Sequence, residues 1–259
     1  MVRPKKHLGQ HFLTDQNIAR KIVDTLSGTI PKVLEIGPGT GVLTSFLLPR
    51  YGENLFLIEI DEESTNYLKE LFPSLSDRIF LEDFLKADLQ QFGPEPVAII
   101  GNFPYNISSQ IFFQILDHRN MVREVVCMIQ KEVAERIATP PGSKTYGILS
   151  VLLQAWYDIS YCFTVGENVF NPPPKVKSAV IKLQRNNTTD LGCNPELFHQ
   201  IVKQAFNQRR KTLRNGLRSR LHTDIITHEI FNKRAEQLHV KDFVFITQLI
   251  ENQNTAPAS

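Results

Sequence analysis

Long apolar runs are missing from this 259-residue chain: nowhere do eighteen or more apolar residues follow one another. A membrane-spanning helix needs about twenty, so none is expected. Cysteine is scarce. Cys127, Cys162 and Cys193 stand far apart and form no CxxC pair. That argues against a disulfide framework or a zinc site and fits reduced thiols in a cytoplasm. The opening MVRPKKHLGQHF is basic but has no apolar core behind it, so it is not expected to act as a signal peptide. Net charge is also small, +2, and the total says little about partners. No internal repeat is visible.

What is present suffices for one large domain, or for one domain and a smaller one: 42% of the residues are hydrophobic. The charge is unevenly placed. Residues 199–222, HQIVKQAFNQRRKTLRNGLRSRLH, carry Lys203, Arg209, Arg210, Lys211, Arg214, Arg218 and Arg220 and no acid. The N-terminal arm adds Arg3, Lys5 and Lys6. Basic density without acids for i,i+4 pairing points to phosphate contact. A solvated helix face is the bland alternative.

Along the chain, strand and helix patterns alternate. DQNIARKIVDTLS (15–27) has helical spacing of Ile18, Ile22, Val23 and Leu26. KVLEIG (32–37), NLFLIEID (54–61), RIFLEDFL (78–85), VAIIGN (97–102) and VREVVCMIQ (122–130) read as strands. Helices are expected between and after them, over 40–51, 62–72, 107–118 and from about Lys131. This alternation predicts an α/β fold with a parallel, doubly wound sheet. Residues 147–163 begin as helix and end as strand, and SAVIKLQR (178–185) is another strand. RNNTTDLGCNP (185–195) reads as a linker. Residues 196–250 follow as a small helical domain, so the chain divides into domains of 1–185 and 186–259. The tail NQNTAPAS (252–259) is expected to be disordered.

In an open parallel sheet, ligands bind beyond the carboxyl ends of the strands. Four such ends here carry unusual residues: Glu35 to Gly41 (EIGPGTG), Glu59-Ile60-Asp61, Glu82-Asp83 and Asn102-Phe103-Pro104-Tyr105. The first is glycine-rich, but Val42 stands where a dinucleotide fingerprint wants its third glycine. Glu59 lies 22 residues after Gly37 and suits the two hydroxyls of a ribose, not a phosphorylated one. Asp83 can accept from the exocyclic amine of an adenine. Together they describe an adenosine pocket with no demand for phosphate, which on this fold points to S-adenosylmethionine.

Asn102-Phe103-Pro104-Tyr105 resembles the N-P-P-Y motif of methyltransferases that modify exocyclic amines. Such an amine is a poor nucleophile because its lone pair is spread into the ring. The Asn102 side-chain oxygen and the Phe103 carbonyl can each accept one N–H bond and free the lone pair. Pro104 sets the bend and Tyr105 can stack on the base. The plainer reading is a buried turn with packed aromatics.

With these pieces assembled, the chain resembles the KsgA-type small-subunit ribosomal RNA adenine dimethyltransferases. The likeness runs through KKHLGQHFLTDQNI (5–18), LEIGPGTGVLT (34–44), LIEID (57–61), GNFPYNIS (101–108), QKEVAERI (130–137), YGILSV (146–151) and FNPPPKVKSAV (170–180). It implies a Rossmann-like class I methyltransferase domain with a smaller C-terminal helical domain. It implies four methyl transfers from S-adenosylmethionine, two to each of two adjacent adenosines near the 3′ end of 16S RNA. Cofactor contacts would fall to His11, Leu13, Gly37, Glu59, Asp83 and Asn102. Position 11 is commonly Asn in the family and is His here, and Phe103 replaces a common Leu. Phe170 is expected opposite Tyr105, sandwiching a flipped adenine. Lys175 and Lys177 would reach phosphates, and the basic segment 203–220 would grip the RNA. The expected setting is a cytoplasmic monomer acting on the pre-30S subunit. Two other readings stay open: a ribosome-assembly or transcription-type factor that has lost methylation, and a large-subunit adenine methylase.

Overall fold

The acidic side chain of Asp15 opens the first helix. It accepts hydrogen bonds from the backbone N–H groups of Asn17 (2.8 Å) and Ile18 (3.0 Å), satisfying donors that have no partner inside the helix. In the computed structural model, which describes residues 2–255, this helix is α1 (Gln16–Val23). It follows a short strand, β1 (Phe12–Leu13). The chain continues through β2 (Lys32–Ile36), α2 (Thr44–Tyr51), β3 (Leu55–Glu59), α3 (Glu62–Leu71) and β4 (Ile79–Leu81). Next come β5 (Val97–Asn102), α4 (Ser108–Asp117), β6 (Val122–Gln130) and α5 (Lys131–Ala138). Then follow α6 (Ile148–Gln154), β7 (Tyr157–Val165), β8 (Phe170–Asn171) and β9 (Ser178–Arg185). The last helices are α7 (Pro195–Asn207), α8 (Leu213–Gly216) and α9 (Val240–Thr255).

Seven strands form one sheet in the order β4-β3-β2-β5-β6-β9-β7. β4, β3, β2, β5 and β6 are mutually parallel, while β9 runs antiparallel to β6. The alternation of strands and helices foretold the parallel part. The antiparallel edge lies after the point where crossover helices cease, so alternation carries no signal for it. β2, β3 and β5 are buried almost throughout, as strands covered on both faces must be. The order turns at β2 and β5, on either side of which successive strands lie, and a crevice opens there beyond the carboxyl ends.

The described residues form two units. One holds residues up to Ala134 together with Asp158–Arg185, and the other holds Glu135–Tyr157 with residues from Asn186 onward. The single division at 185/186 read from the sequence is therefore too simple. Residues 135–157 belong with the C-terminal helices because α6 buries Ser150, Val151, Leu152 and Leu153, and it packs on α7 and α9. α7 is capped by the Asn194 side chain and starts with Pro195. It buries Phe198, Ile201, Val202 and Ala205, one stripe at helical spacing. Tyr146, Phe206 and Phe243 extend this core as a run of rings about 6 Å apart (6.1 and 6.0 Å).

The tail differs from expectation in its first half. Residues 252–255 continue α9, and residues 256–259 lie outside those described. No helix among the described residues is long and apolar enough to cross a membrane.

Candidate active site

A cavity of about 290 Å³ opens at the carboxyl ends of β2, β3, β4 and β5. Its walls include Gly37, Glu59, Asp83, Asn102, Phe103, Pro104, Tyr105 and His11. All four unusual strand ends thus meet in one place. The N-terminal arm closes another wall: Gln10 and Phe12 line the cavity beside His11.

Glu59 is buried, 4% exposed. Its carboxylate accepts from the N–H of Gly39 at 3.1 Å and from the N–H of Asp61 at 3.0 Å. Burial raises its pKa, against the lowering effect of these backbone bonds. The Ile60 backbone N–H adds a further, lesser bond; a carboxylate has about four lone-pair sites, and what is left is open to a ligand hydroxyl. Behind it, Glu35 is buried more deeply, and burial pushes its pKa up to about 8. The Thr44 hydroxyl donates to Glu35 at 2.7 Å. The charge of Glu59 adds a smaller rise to the Glu35 pKa.

The glycine turn between β2 and α2 is shaped for backbone approach. Gly37 has φ +62, and a Cβ built on it would meet no heavy atom within 4 Å. Packing does not keep that position bare; beside the cavity it leaves space that a side chain would fill. Gly39 differs, since a Cβ there would stand 2.8 Å from the Phe12 ring. The arm therefore seats on the turn only if residue 39 has no side chain.

The arm is tied down at a second point. Lys5 pairs with Asp61, the N-cap of α3, and lies 3.7 Å from Glu63. Burial alone would raise the Asp61 pKa, but Lys5 and Ser64 outweigh it and hold the carboxyl below its ordinary value. Asp83 lies partly exposed at the end of β4, where its carboxylate accepts from the Leu85 N–H at 3.0 Å.

Asn102 ends β5. Its Nδ2 donates to the backbone carbonyl of His11 at 2.8 Å. A carbonyl only accepts, so the amide cannot flip, and Oδ1 is left as an acceptor. The next residue, Phe103, spends its N–H on the Met128 carbonyl (3.0 Å). Its ring is buried against Phe112. Among the described residues no donor reaches the Phe103 carbonyl oxygen. Tyr105 is tethered through its hydroxyl to Ser178.

Two expected positions fall elsewhere. β1 pairs antiparallel with β8, Phe12 opposite Asn171 and Leu13 opposite Phe170. Alternation along a strand sends neighbours to opposite faces, so Phe12 lines the cavity while Leu13 and Phe170 enter the hydrophobic core. Both are 4% exposed, and neither side chain lines the cavity. The ring facing Tyr105 is not Phe170 but His11, with centroids 5.6 Å apart and planes at 27°. The His11 Nδ1–H donates to the Pro172 carbonyl at 2.8 Å. Cavity residues to which the sequence reading gave no role include Gln10, Phe12, Ile60, Glu82 and Asn106. Each lies inside or beside a motif already singled out, but spacing does not say which way a loop side chain points.

The basic positions separate into two groups. Lys175 and Lys177 are exposed on the proline loop after β8, and Lys203, Arg210, Lys211 and Arg218 are exposed in the helical unit. Arg209 is engaged within that unit: its guanidinium donates to the carbonyls of Lys144 and Tyr146. Arg214 is half-buried.

Residues 1–252 match the family model described as ribosomal RNA adenine dimethylase. The chain belongs to this family. It is therefore an enzyme, a ribosomal RNA adenine dimethyltransferase. A family protein of Bacteroides fragilis, named ribosomal RNA small subunit methyltransferase A, is 56% identical over 99% of this chain and 96% of its own length. One of the same name from Cytophaga hutchinsonii is 56% identical, over 97% of this chain and 99% of its own. Among solved structures, a dimethyladenosine transferase from Plasmodium falciparum superposes with TM-score 0.80 at 25% identity, covering 94% of this chain and 98% of that one. The 23S rRNA methyltransferase ErmE shares the fold, with TM-score 0.64 at 24% identity over 92% of this dimethylase and 99% of its own chain.

Proposed function

We propose that this protein dimethylates N6 of two adjacent adenosines in the 3′-terminal hairpin of 16S ribosomal RNA. It uses S-adenosylmethionine and acts as a cytoplasmic monomer in small-subunit maturation. One observation carries the chemistry: the Asn102 amide is oriented with its oxygen left as an acceptor, one residue from the Phe103 carbonyl, and among the described residues no donor meets either oxygen. Two adjacent acceptors match the two N–H bonds of an exocyclic amine.

The cavity fits the cofactor by its donor set and by the space beside Gly37. Glu59 would take the ribose hydroxyls, the Gly37 turn would meet the backbone of the ligand, and Asp83 would accept from the adenine amine. When bound, the cofactor supplies a methyl group made electrophilic by its sulfonium. Everything else is positioning by the chain. Asn102 Oδ1 and the Phe103 carbonyl hold the target N–H bonds and turn the lone pair toward the methyl. Tyr105 offers a ring on which the flipped base stacks. The alkylated amine sheds its proton readily, so no strong base is required. After one transfer the amine keeps one N–H, and one of the two acceptors suffices.

The relatives named for the small subunit support that choice of RNA, whereas the likeness to ErmE shows the fold alone. Methyl transfer to small subunits from a methylation-deficient strain, followed by mapping of the modified nucleotides, tests the proposal. Absence of transfer would make the protein a binding factor, and preference for large-subunit RNA would reassign the substrate.

A further inference from the structure

We infer that the His11 imidazole is a positioning gate: it holds the face of Tyr105 that the target adenine takes, and the base stacks there only as His11 swings away. The inference rests on the reading of Tyr105 as the stacking platform.

The rings of His11 and Tyr105 are stacked with centroids 5.6 Å apart. Each layer of a stack takes about 3.4 Å, so a base between two rings needs roughly 7 Å. Nothing flat fits between the two rings as they stand. Tyr105 is tethered at its hydroxyl by Ser178, on β9. His11 is held by its Nδ1–H on the Pro172 carbonyl, an exposed contact. Of the two rings, His11 has the looser restraint.

The backbone of His11 is held separately. Its carbonyl accepts from Asn102, and the next residue pairs with Asn171 in the β1–β8 ladder. Rotation about the side-chain torsions of His11 therefore moves the ring and leaves the Asn102 clamp in place. The exchange runs in favour of the base. A stacked base is worth roughly five- to 150-fold in binding, whereas one aromatic pair is worth roughly two- to thirteen-fold.

The test uses the full chain labelled in its histidines, S-adenosylhomocysteine as an inert cofactor product, and an RNA hairpin carrying two adjacent adenosines. In the free protein the His11 ring protons are expected upfield, shifted by the Tyr105 ring, and Tyr105→Leu should abolish that shift. Saturating RNA should relieve it in the wild-type protein. An upfield shift that persists in the saturated complex overturns the gate. In kinetics, His11→Ala keeps the backbone carbonyl and should lower KM for RNA about three- to tenfold, while His11→Phe restores a high KM. A raised KM in His11→Ala that His11→Phe repairs would make residue 11 part of the base stack and overturn the inference, as would an unchanged KM. Failure of the wild-type protein to methylate any ribosomal RNA counts against the proposed function instead, and leaves the ring-shift measurement to decide the gate.

Discussion

The Asn102 side chain and the His11 backbone are joined by one hydrogen bond, Nδ2 to carbonyl oxygen at 2.8 Å, across 91 residues of sequence. It settles which end of the amide faces the cavity. It also makes the N-terminal arm part of the chemistry, because the acceptor that orients Asn102 belongs to a segment laid over the sheet and not to the sheet itself.

Replacing Asn102 by Ala should cost about a hundredfold or more in single-turnover rate, the scale seen when one preorganised hydrogen-bonding group is lost. Cofactor affinity should be largely kept, since Glu59 and the glycine turn remain. Calorimetric binding and rapid-quench rates measured side by side will show the split. A variant that turns over normally removes Asn102 from the mechanism.

Tyr105→Ala and Phe170→Ala should fail for different reasons. Loss of the stacking ring weakens RNA binding or transfer by roughly 1–3 kcal/mol for a stacked base, with the melting temperature little changed. Phe170 is a core residue, and its truncation should cost about 3–5 kcal/mol of stability. Denaturant unfolding separates the cases. Should Phe170→Ala unfold at the wild-type midpoint yet transfer slowly, its ring belongs in the site after all.

Glu35 makes stability depend on pH. Its folded pKa of about 8 lies above its ordinary value of 4.5, so between those values the folded state binds more protons than the unfolded one. Stability from this group therefore falls as pH rises from about 5 to 8, at up to about 1.4 kcal/mol per unit. Glu35→Gln keeps an acceptor for the Thr44 hydroxyl and removes the titration. Thermal melts of the two proteins should diverge with rising pH, the variant being the more stable at pH 8. Parallel curves would refute the assignment.

Lys5→Ala or Asp61→Asn should loosen the arm and weaken cofactor binding, more visibly at low salt. The docking contributed by Asp61 persists at neutral pH and is lost as pH falls below the ordinary carboxylate value of 3.8, because its folded pKa is depressed. Equal cofactor affinity in wild type and variant, at low and high salt, would show that the pair does not hold the arm in place for cofactor binding.

Arg210, Lys211 and Arg218 should each contribute to a salt-dependent RNA grip. Removing one phosphate contact should flatten the slope of log affinity against log salt by roughly 0.7–0.9. Arg209→Ala should instead destabilise the helical unit, since its guanidinium braces the 144–146 turn. An Arg209 variant of full stability and reduced salt slope would return that residue to the RNA surface.

Sequence alone determined the parallel strands, their helices and the four strand ends that meet at the cavity. Those features follow from local rules: apolar periodicity marks buried strands and helices, and parallel topology brings every strand's carboxyl end to one side. It also singled out Glu59, Asp83 and Asn102 by residue type at those ends, and all three line the cavity. Tertiary structure decided the rest. The β1–β8 register put Leu13 and Phe170 in the core and turned Phe12 to the cavity, because pairing between segments so far apart in sequence sets which face each residue takes. The packing of α6 on α7 and α9 moved residues 135–157 into the helical unit. The ring of His11 came to lie on Tyr105, and its carbonyl on the Asn102 amide. Both contacts join residues more than ninety positions apart, a distance over which no local pattern in the chain carries information.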